Sequence, residues 1–187
     1  MDLTQSHNKW LSEEVLKFSK LATNQKFEFD LTINNSWTKN LLLEVDEKEK
    51  IEELTDREFL NISVSIVKKW NDKYNDVIIL DGKVDMQFEP PCIRCLCPGF
   101  EKLKFNFSTC VMDSKLEDEE DFEELTTFYI DGAERELFYY ENLSLNIIEI
   151  IHELVYLNKM PFPLHDEKCL GLCQQCGKDQ NIETCSH

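Results

Sequence analysis

The chain has 187 residues, 37 of them acidic and 20 basic, for a net charge of −17. Apolar residues make up 42% and aromatics 11%, enough for a buried core and consistent with one domain carrying an appendage. A field of that sign repels phosphate and anionic lipid, so direct RNA or DNA binding and membrane attachment are disfavoured. A basic protein suits such a surface better, although acidity that serves solubility alone accounts for the same charge.

Residues 1–14 hold no apolar signal core and no small-residue cleavage site, and no apolar stretch approaches a membrane span. A cytoplasmic chain is therefore expected. In that reducing setting its eight cysteines point to metal rather than disulfides.

The segment Glu13 to Ala22 reads as a short helix or a strand with equal ease. Phe27, Phe29, Leu31 and Ile33 then alternate with Glu28, Asp30 and Thr32, the period of a half-buried strand. Ile62, Val64 and Ile66 repeat the pattern. A polar turn over Asn71 to Asp76 leads into a long strand from Val77 to Phe88. Leu103, Phe105 and Phe107 resume the alternation after Pro90-Pro91 and Cys92-Ile-Arg-Cys95, which places that cysteine pair at a hairpin tip. The run Asp113 to Glu124 carries eight acidic residues and one lysine, and predicts a solvated loop or frayed helix. Leu143 to Leu157 reads as the main helix. Leu143, Ile147, Ile150, Ile151 and Leu154 form its apolar stripe, Asn142 or Ser144 its cap, and Pro161 and Pro163 its end. His152, beside that stripe, reads as a hydrogen-bonded helix histidine. The expected fold is α+β. An antiparallel β-sheet core carries one main C-terminal helix and a zinc-stabilised Cys/His-rich tail, divided as residues 1–164 and 165–187.

Two Cys-x-x-Cys motifs carry the chemistry. A tight turn aims both sulfurs of such a motif at one point about 2.3 Å away, the length of a zinc–thiolate bond. Cys92 and Cys95 supply two donors, and His165 with Cys169 can supply two more. Cys173, Cys176, Cys185 and His187 offer a second set of the same composition, so one or two structural Zn²⁺ ions are expected. Gly171 and Gly177 give the loops their freedom, and Arg94, Lys168 and Lys178 stand close enough to offset thiolate charge. A single site from Cys92, Cys95, Cys173 and Cys176 remains an open alternative. Cys97 and Cys110 read as ordinary small side chains, and His7 receives no role.

The motif Cys92-Ile-Arg-Cys95-Leu96, followed by Cys169-Leu-Gly171-Leu172-Cys173-Gln-Gln-Cys176-Gly177 and Asn181, resembles the bacterial YceD family, the large ribosomal RNA subunit accumulation proteins. The resemblance covers the second β region, the helix with its proline exit and the tail, and extends loosely back to Phe27-Glu-Phe-Asp30. It implies a role in accumulation or processing of large-subunit ribosomal RNA. It carries no catalytic residues, and it favours a strand at Glu14 to Ser19. Many members have cysteine where this chain has His165, and many end in Cys-x-Cys where it has Cys185-Ser-His187. Histidine for cysteine preserves a zinc ligand. Many also have proline where this chain has Gln174.

The expected function is therefore a noncatalytic zinc-binding factor of ribosome biogenesis, with a basic ribosomal or assembly protein as partner. A zinc-dependent hydrolase or other zinc enzyme is the alternative, because Asp166-Glu167 follows His165. The deaminase order, H-x-E followed by P-C-x-x-C, is absent, since Pro91-Cys92-Ile-Arg-Cys95 precedes His165-Asp166-Glu167, and H-E-x-x-H does not occur. Thiol redox chemistry at either Cys-x-x-Cys is a third reading, and it normally needs a helix N-terminus after the first cysteine.

Overall fold

Period-2 alternation of β-branched and aromatic residues builds most of this protein. The computed structural model describes residues 15–50, 53–122 and 124–184. In chain order the strands are β1 (Leu16–Lys17), β2 (Lys26–Thr32), β3 (Phe59–Asn71), β4 (Asn75–Phe88), β5 (Glu101–Asp113), β6 (Thr127–Ile130), β7 (Ala133–Tyr140) and β8 (Ser144–Leu145). Among the described residues two helices, α1 (Ser36–Val45) and α2 (Ile147–Asn158), complete the α+β set. Six strands form one sheet in the order β2-β3-β4-β5-β7-β6, and β1 pairs with β8 in a second sheet. No helix among the described residues is long and apolar enough to cross a membrane.

The sheet is mixed, not purely antiparallel as expected. β5 and β7 run parallel, with Thr109 opposite Glu136 and Asp113 opposite Tyr140, whereas β6 and β7 are antiparallel. The chain leaves β5, forms the outer strand β6 first, and returns between β5 and β6 as β7. A tight Asp131-Gly132 turn makes this possible. Its φ values of 54° and 77° lie in the left-handed region that a two-residue hairpin turn needs.

A second correction concerns helix content. α1 adds to the single helix expected, and it buries Trp37, Leu41, Leu42 and Val45 at helical spacing. The turn before it is closed by Thr38 Oγ1, which donates to the carbonyls of Thr32 and Asn35 at 2.5 and 2.8 Å. The expected C-terminal helix also starts later than its apolar pattern suggested. Asn142 and Leu143 have φ values of 51° and 52°, and Leu143 is 57% exposed, so neither joins the helix. Asn146 caps α2 by accepting the Glu149 amide at 3.3 Å. Ile147, Ile150, Ile151, Leu154 and Val155 form the buried stripe.

The described residues form two compact units. One is drawn from the described residues within Met1–Leu31, Asn61–Val84 and Phe105–Leu157. Within it Val77 and Ile79 of β4, Cys110 and Met112 of β5 and Leu137 of β7 pack into one core cluster. The acidic run is anchored there. A 3-10 turn over Ser114–Leu116 and successive bends bury Leu116 and Phe122 in that cluster. Phe122 stacks on Phe128 with ring centroids 5.6 Å apart, and Tyr74 meets both rings edge-on. Of the ambiguous N-terminal segment, Glu13 and Glu14 lie outside the described residues, and the rest forms the short strand β1 and a 3-10 turn over Phe18–Lys20.

The other unit is drawn from the described residues within Thr32–Leu60, Asp85–Lys104 and Asn158–His187. It holds α1, the connection between β4 and β5, and the Cys/His-rich tail. A buried polar triad lies within it. Asp46 accepts the Glu89 amide at 2.6 Å, and Lys48 pairs with both Asp46 and Glu58. Burial, with Glu58 hydrogen-bonded and charged beside it, raises Asp46 to about 7. Burial works against the Glu58 carboxylate, yet hydrogen bonds from Asp46, Lys48 and Thr55 hold it down at about 2.

Candidate metal centre

β4 ends at Phe88, and Pro90-Pro91 then carries the chain out of the ladder because neither residue has an amide to donate. The Cys92 amide donates to the Cys97 carbonyl at 2.9 Å, and the Leu96 amide closes back on the Cys92 carbonyl at 2.8 Å. Leu96 takes a φ of 65° to make that turn. Gly99 follows because space demands it. A Cβ there would lie 2.9 Å from the Pro90 carbonyl oxygen, whose bond to the Gly99 amide closes the loop at 2.7 Å.

The tail reaches this turn through backbone bonds. Ile93 donates to the Pro163 carbonyl at 3.1 Å, and Leu172 donates to the Arg94 carbonyl at 3.0 Å. The Arg94 guanidinium binds the Cys169 and Glu167 carbonyls at 2.9 and 3.4 Å. Gly171, with a φ of 77°, passes so close that a Cβ would sit 3.1 Å from the Arg94 oxygen.

Four donors converge as a result. The ligand atoms of Cys92, Cys95, His165 and Cys169 all lie within 4.8 Å of one another, a set that can hold a metal ion. The sulfurs of Cys92 and Cys169 are 3.8 Å apart, and Cys95 Sγ lies 3.1 Å from His165 Nδ1. A tetrahedral ion with bonds of about 2.3 Å to sulfur sets its sulfur ligands about 3.8 Å apart, so the residues fit. The three cysteines are buried while His165 is exposed, and Cys97, Leu164 and Leu172 pack around the sulfurs.

Crowding drives the titrations of Cys92 and Cys95 apart. Burial opposes the Cys92 thiolate, but hydrogen bonds from His165 and from the Arg94 and Cys95 amides pull it down to about 5. Burial pushes Cys95 up to about 12 against the opposing Cys97 amide, with hydrogen bonds to Cys169 and Cys92 adding to the rise. A metal ion bound here would replace those thiol protons.

Asn181 organises the surrounding shell. Its side chain donates to Cys169 Sγ at 3.5 Å and to Asp179 Oδ1 at 2.6 Å, and its carbonyl oxygen accepts the Leu170 amide at 2.8 Å. Hydrogen bonds from Asn181 hold the Asp179 carboxyl below its usual range. The only sequence signal for Asn181 was its place in the tail motif.

Cys97, read as an ordinary side chain, also lies at the centre. Its sulfur is 3.5 Å from Asp179 Oδ2, and Cys95, Cys97 and Asp179 form a second compact donor set. No spacing rule links those three residues. Cys110 is a core residue, its thiol pushed up to about 12 by burial. His152 stacks on Tyr156 at 4.6 Å.

Of the second expected set, Cys173 is buried and Cys176 exposed, while Cys185 and His187 lie outside the described residues. Among the described residues, the sulfurs of Cys92 and Cys95 group with His165 and Cys169 rather than with Cys173 and Cys176. Arg94 meets the centre through carbonyls, whereas Lys178 pairs with Glu183 at 2.8 Å. Lys168 contributes its amide to Asp166 Oδ1 at 2.7 Å.

Neither a curated protein nor a solved structure matches the chain. The model of one family, described as "Large ribosomal RNA subunit accumulation protein YceD", matches residues 80–187. That span is more than half of the chain and contains every donor of the centre. The chain belongs to the YceD family of large ribosomal RNA subunit accumulation proteins.

Proposed function

We propose that this protein is a noncatalytic cytoplasmic factor in the accumulation of large-subunit ribosomal RNA, braced by structural zinc at Cys92, Cys95, His165 and Cys169. The observation that carries the reading is the closed donor set. Three sulfurs and one imidazole from the protein satisfy a tetrahedral ion and leave no position for a reacting water. Structural zinc contributes roughly 10–16 kcal/mol of apparent binding energy in small peptides, which here goes to holding residues 158–184 on the Cys92 turn.

The partner in this reading is a basic ribosomal or assembly protein. A groove of about 590 Å³ beside the centre combines exposed Phe100, Met160 and Phe162 with Glu101, Asp166 and Glu167 on its lining. Lys102 also lines it, but folds over the Phe100 ring with Nζ 5.5 Å from the centroid. Apolar anchors rimmed by carboxylates suit a lysine- or arginine-bearing segment with a large apolar side chain. RNA is then affected through that protein.

Depletion of the protein tests the reading, with the ratio of precursor to mature large-subunit rRNA as readout. A rise is expected, reversed by the wild-type chain and not by a C92S/C95S chain. An unchanged ratio on depletion refutes the role, and full rescue by C92S/C95S refutes the zinc brace.

A further inference from the structure

Cys97 and Asp179 are donors that the four-ligand set leaves unused. Cys97 Sγ lies 3.5 Å from Asp179 Oδ2, and both atoms stand within 4.8 Å of Cys95 Sγ. This set and the first one share Cys95 and no other donor, so they meet at a single sulfur. A tetrahedral ion with bonds of about 2.3 Å to sulfur and about 2.0 Å to oxygen sets those two ligands about 3.5 Å apart. The Cys97 sulfur and the Asp179 oxygen have that spacing.

Local structure fixes both donors. The Cys97 carbonyl accepts the Cys92 amide at 2.9 Å, and Pro98 after it bridges Pro91. Asp179 is pinned from two sides, since its backbone bridges Leu172 and its Oδ1 accepts the Asn181 amide at 2.9 Å and the Asn181 side chain at 2.6 Å. With Oδ1 engaged, Oδ2 is the oxygen turned to Cys97. Both residues are half-buried, which keeps the pair within reach of solvent ions. Hydrogen bonding of one carboxylate oxygen while the other faces a soft donor is how an outer shell orients a metal ligand.

We propose that Cys95, Cys97 and Asp179 form a second, weaker position for a thiophilic divalent cation, with the Cys95 sulfur bridging it to the first ion. The inference rests on the reading of the first centre as a zinc site. A thiolate has lone pairs for two ions, and binding releases the Cys97 proton to solvent. The second ion brings two positive charges, and the added thiolate and carboxylate bring two negative ones, so the formal charge of the centre stays the same. Three protein donors hold this ion where four hold the first, and solvent completes its shell.

The test is zinc content per chain, by elemental analysis of full-length protein dialysed to equilibrium against micromolar free Zn²⁺. C97S and D179N are each expected to hold one ion fewer than wild type. C97S keeps a hydroxyl that can donate to Asp179, and D179N keeps an oxygen for Asn181, so neither variant removes the surrounding hydrogen bonds. Zinc content equal to wild type in either variant overturns the second position and leaves the Cys97–Asp179 contact a hydrogen bond only.

A measurement on wild type alone keeps the inference exposed should both variants misfold. Protein loaded with the NMR-active isotope of cadmium is expected to show the resonance of the first centre split by a second cadmium, because ions on one sulfur couple through it. Cys173 and Cys176 belong to neither donor set, so an ion held by them causes no such splitting. An unsplit first-centre resonance overturns the bridge at Cys95. The absence of every thiolate-shifted resonance overturns the reading of the first centre, and this position with it.

Discussion

The Asn181 side-chain amide donates to Cys169 Sγ at 3.5 Å, joining a polar residue of the far tail to a donor of the candidate metal centre. Hydrogen bonds of this kind to a ligating sulfur orient it and moderate its charge, and their loss typically costs 10–100-fold in metal affinity. N181A is therefore expected to weaken zinc binding by about tenfold or more. Competition with a chromophoric chelator reads this directly. An unchanged affinity removes Asn181 from the shell.

Leu96, with a φ of 65°, occupies the backbone position that Gly177, at 71°, fills in the Cys173 turn. A side chain at positive φ costs roughly 1–2 kcal/mol, and Leu96 is 67% exposed, so little packing offsets that strain. L96G should raise stability by about 1 kcal/mol, reported as a higher denaturant midpoint at unchanged slope. The reverse test is G177A. Nothing lies within 4 Å of an added Cβ there, so its loss of stability measures backbone strain alone.

The buried carboxylates make stability depend on pH. Asp46 rises to about 7 in the folded protein, so between pH about 4 and 7 the native state holds a proton that the unfolded chain has released. Stability from this group therefore falls as pH increases through that window. Glu58 works in the opposite sense. Held at about 2, it adds stability as pH rises from about 2 to its ordinary value near 4.5. Lys48 and the Glu89 amide face the pair, and Arg57 stands 3.9 Å from the Glu89 carboxylate. D46N keeps an acceptor for the Glu89 amide and removes the titration. It is expected to abolish a fall on the order of 3 kcal/mol between pH 4.5 and 7. Chemical denaturation at several pH values, with zinc saturating, decides; parallel wild-type and D46N profiles would count against it.

Metal removal should loosen the two parts of the chain unequally. The cluster around Val77, Met112 and Phe122 needs no ion, whereas residues 158–184 are tied down by backbone bonds that converge on the Cys92 turn. Chelation, or Cys92→Ser, is expected to open residues 158–184 to protease while amides of β4 and β5 near Ile79 and Cys110 stay protected from exchange. Uniform loss of protection refutes an independent apolar core.

Much of this molecule was legible in its residues. The strands over Phe27, Ile62, Val84 and Leu103 follow from alternation, because a half-buried strand must place every second side chain in the core. The helix beginning at Ile147 follows from its stripe. The helical spacing of Trp37, Leu41, Leu42 and Val45 was equally present, with Asn35 and Ser36 ahead of it as a start signal, but a ten-residue helix between strands offers few turns in which that period can stand out. The later start of α2 was not legible, since Leu143 satisfies the apolar period yet sits in a left-handed turn.

Composition and local spacing determined which side chains could carry the chemistry: soft donors in two Cys-x-x-Cys motifs, on an acidic chain. Only the tertiary structure decided how those donors combine. A Cys-x-x-Cys turn specifies where two sulfurs point but not who faces them, because the remaining donors arrive from the other end of the chain. Four hydrogen bonds around Arg94, Ile93 and Pro163 deliver His165 and Cys169, and the same fold sets β7 parallel to β5. Pairings between segments far apart in sequence leave no period to read; they are chosen by which surfaces and backbone groups find partners when the chain closes.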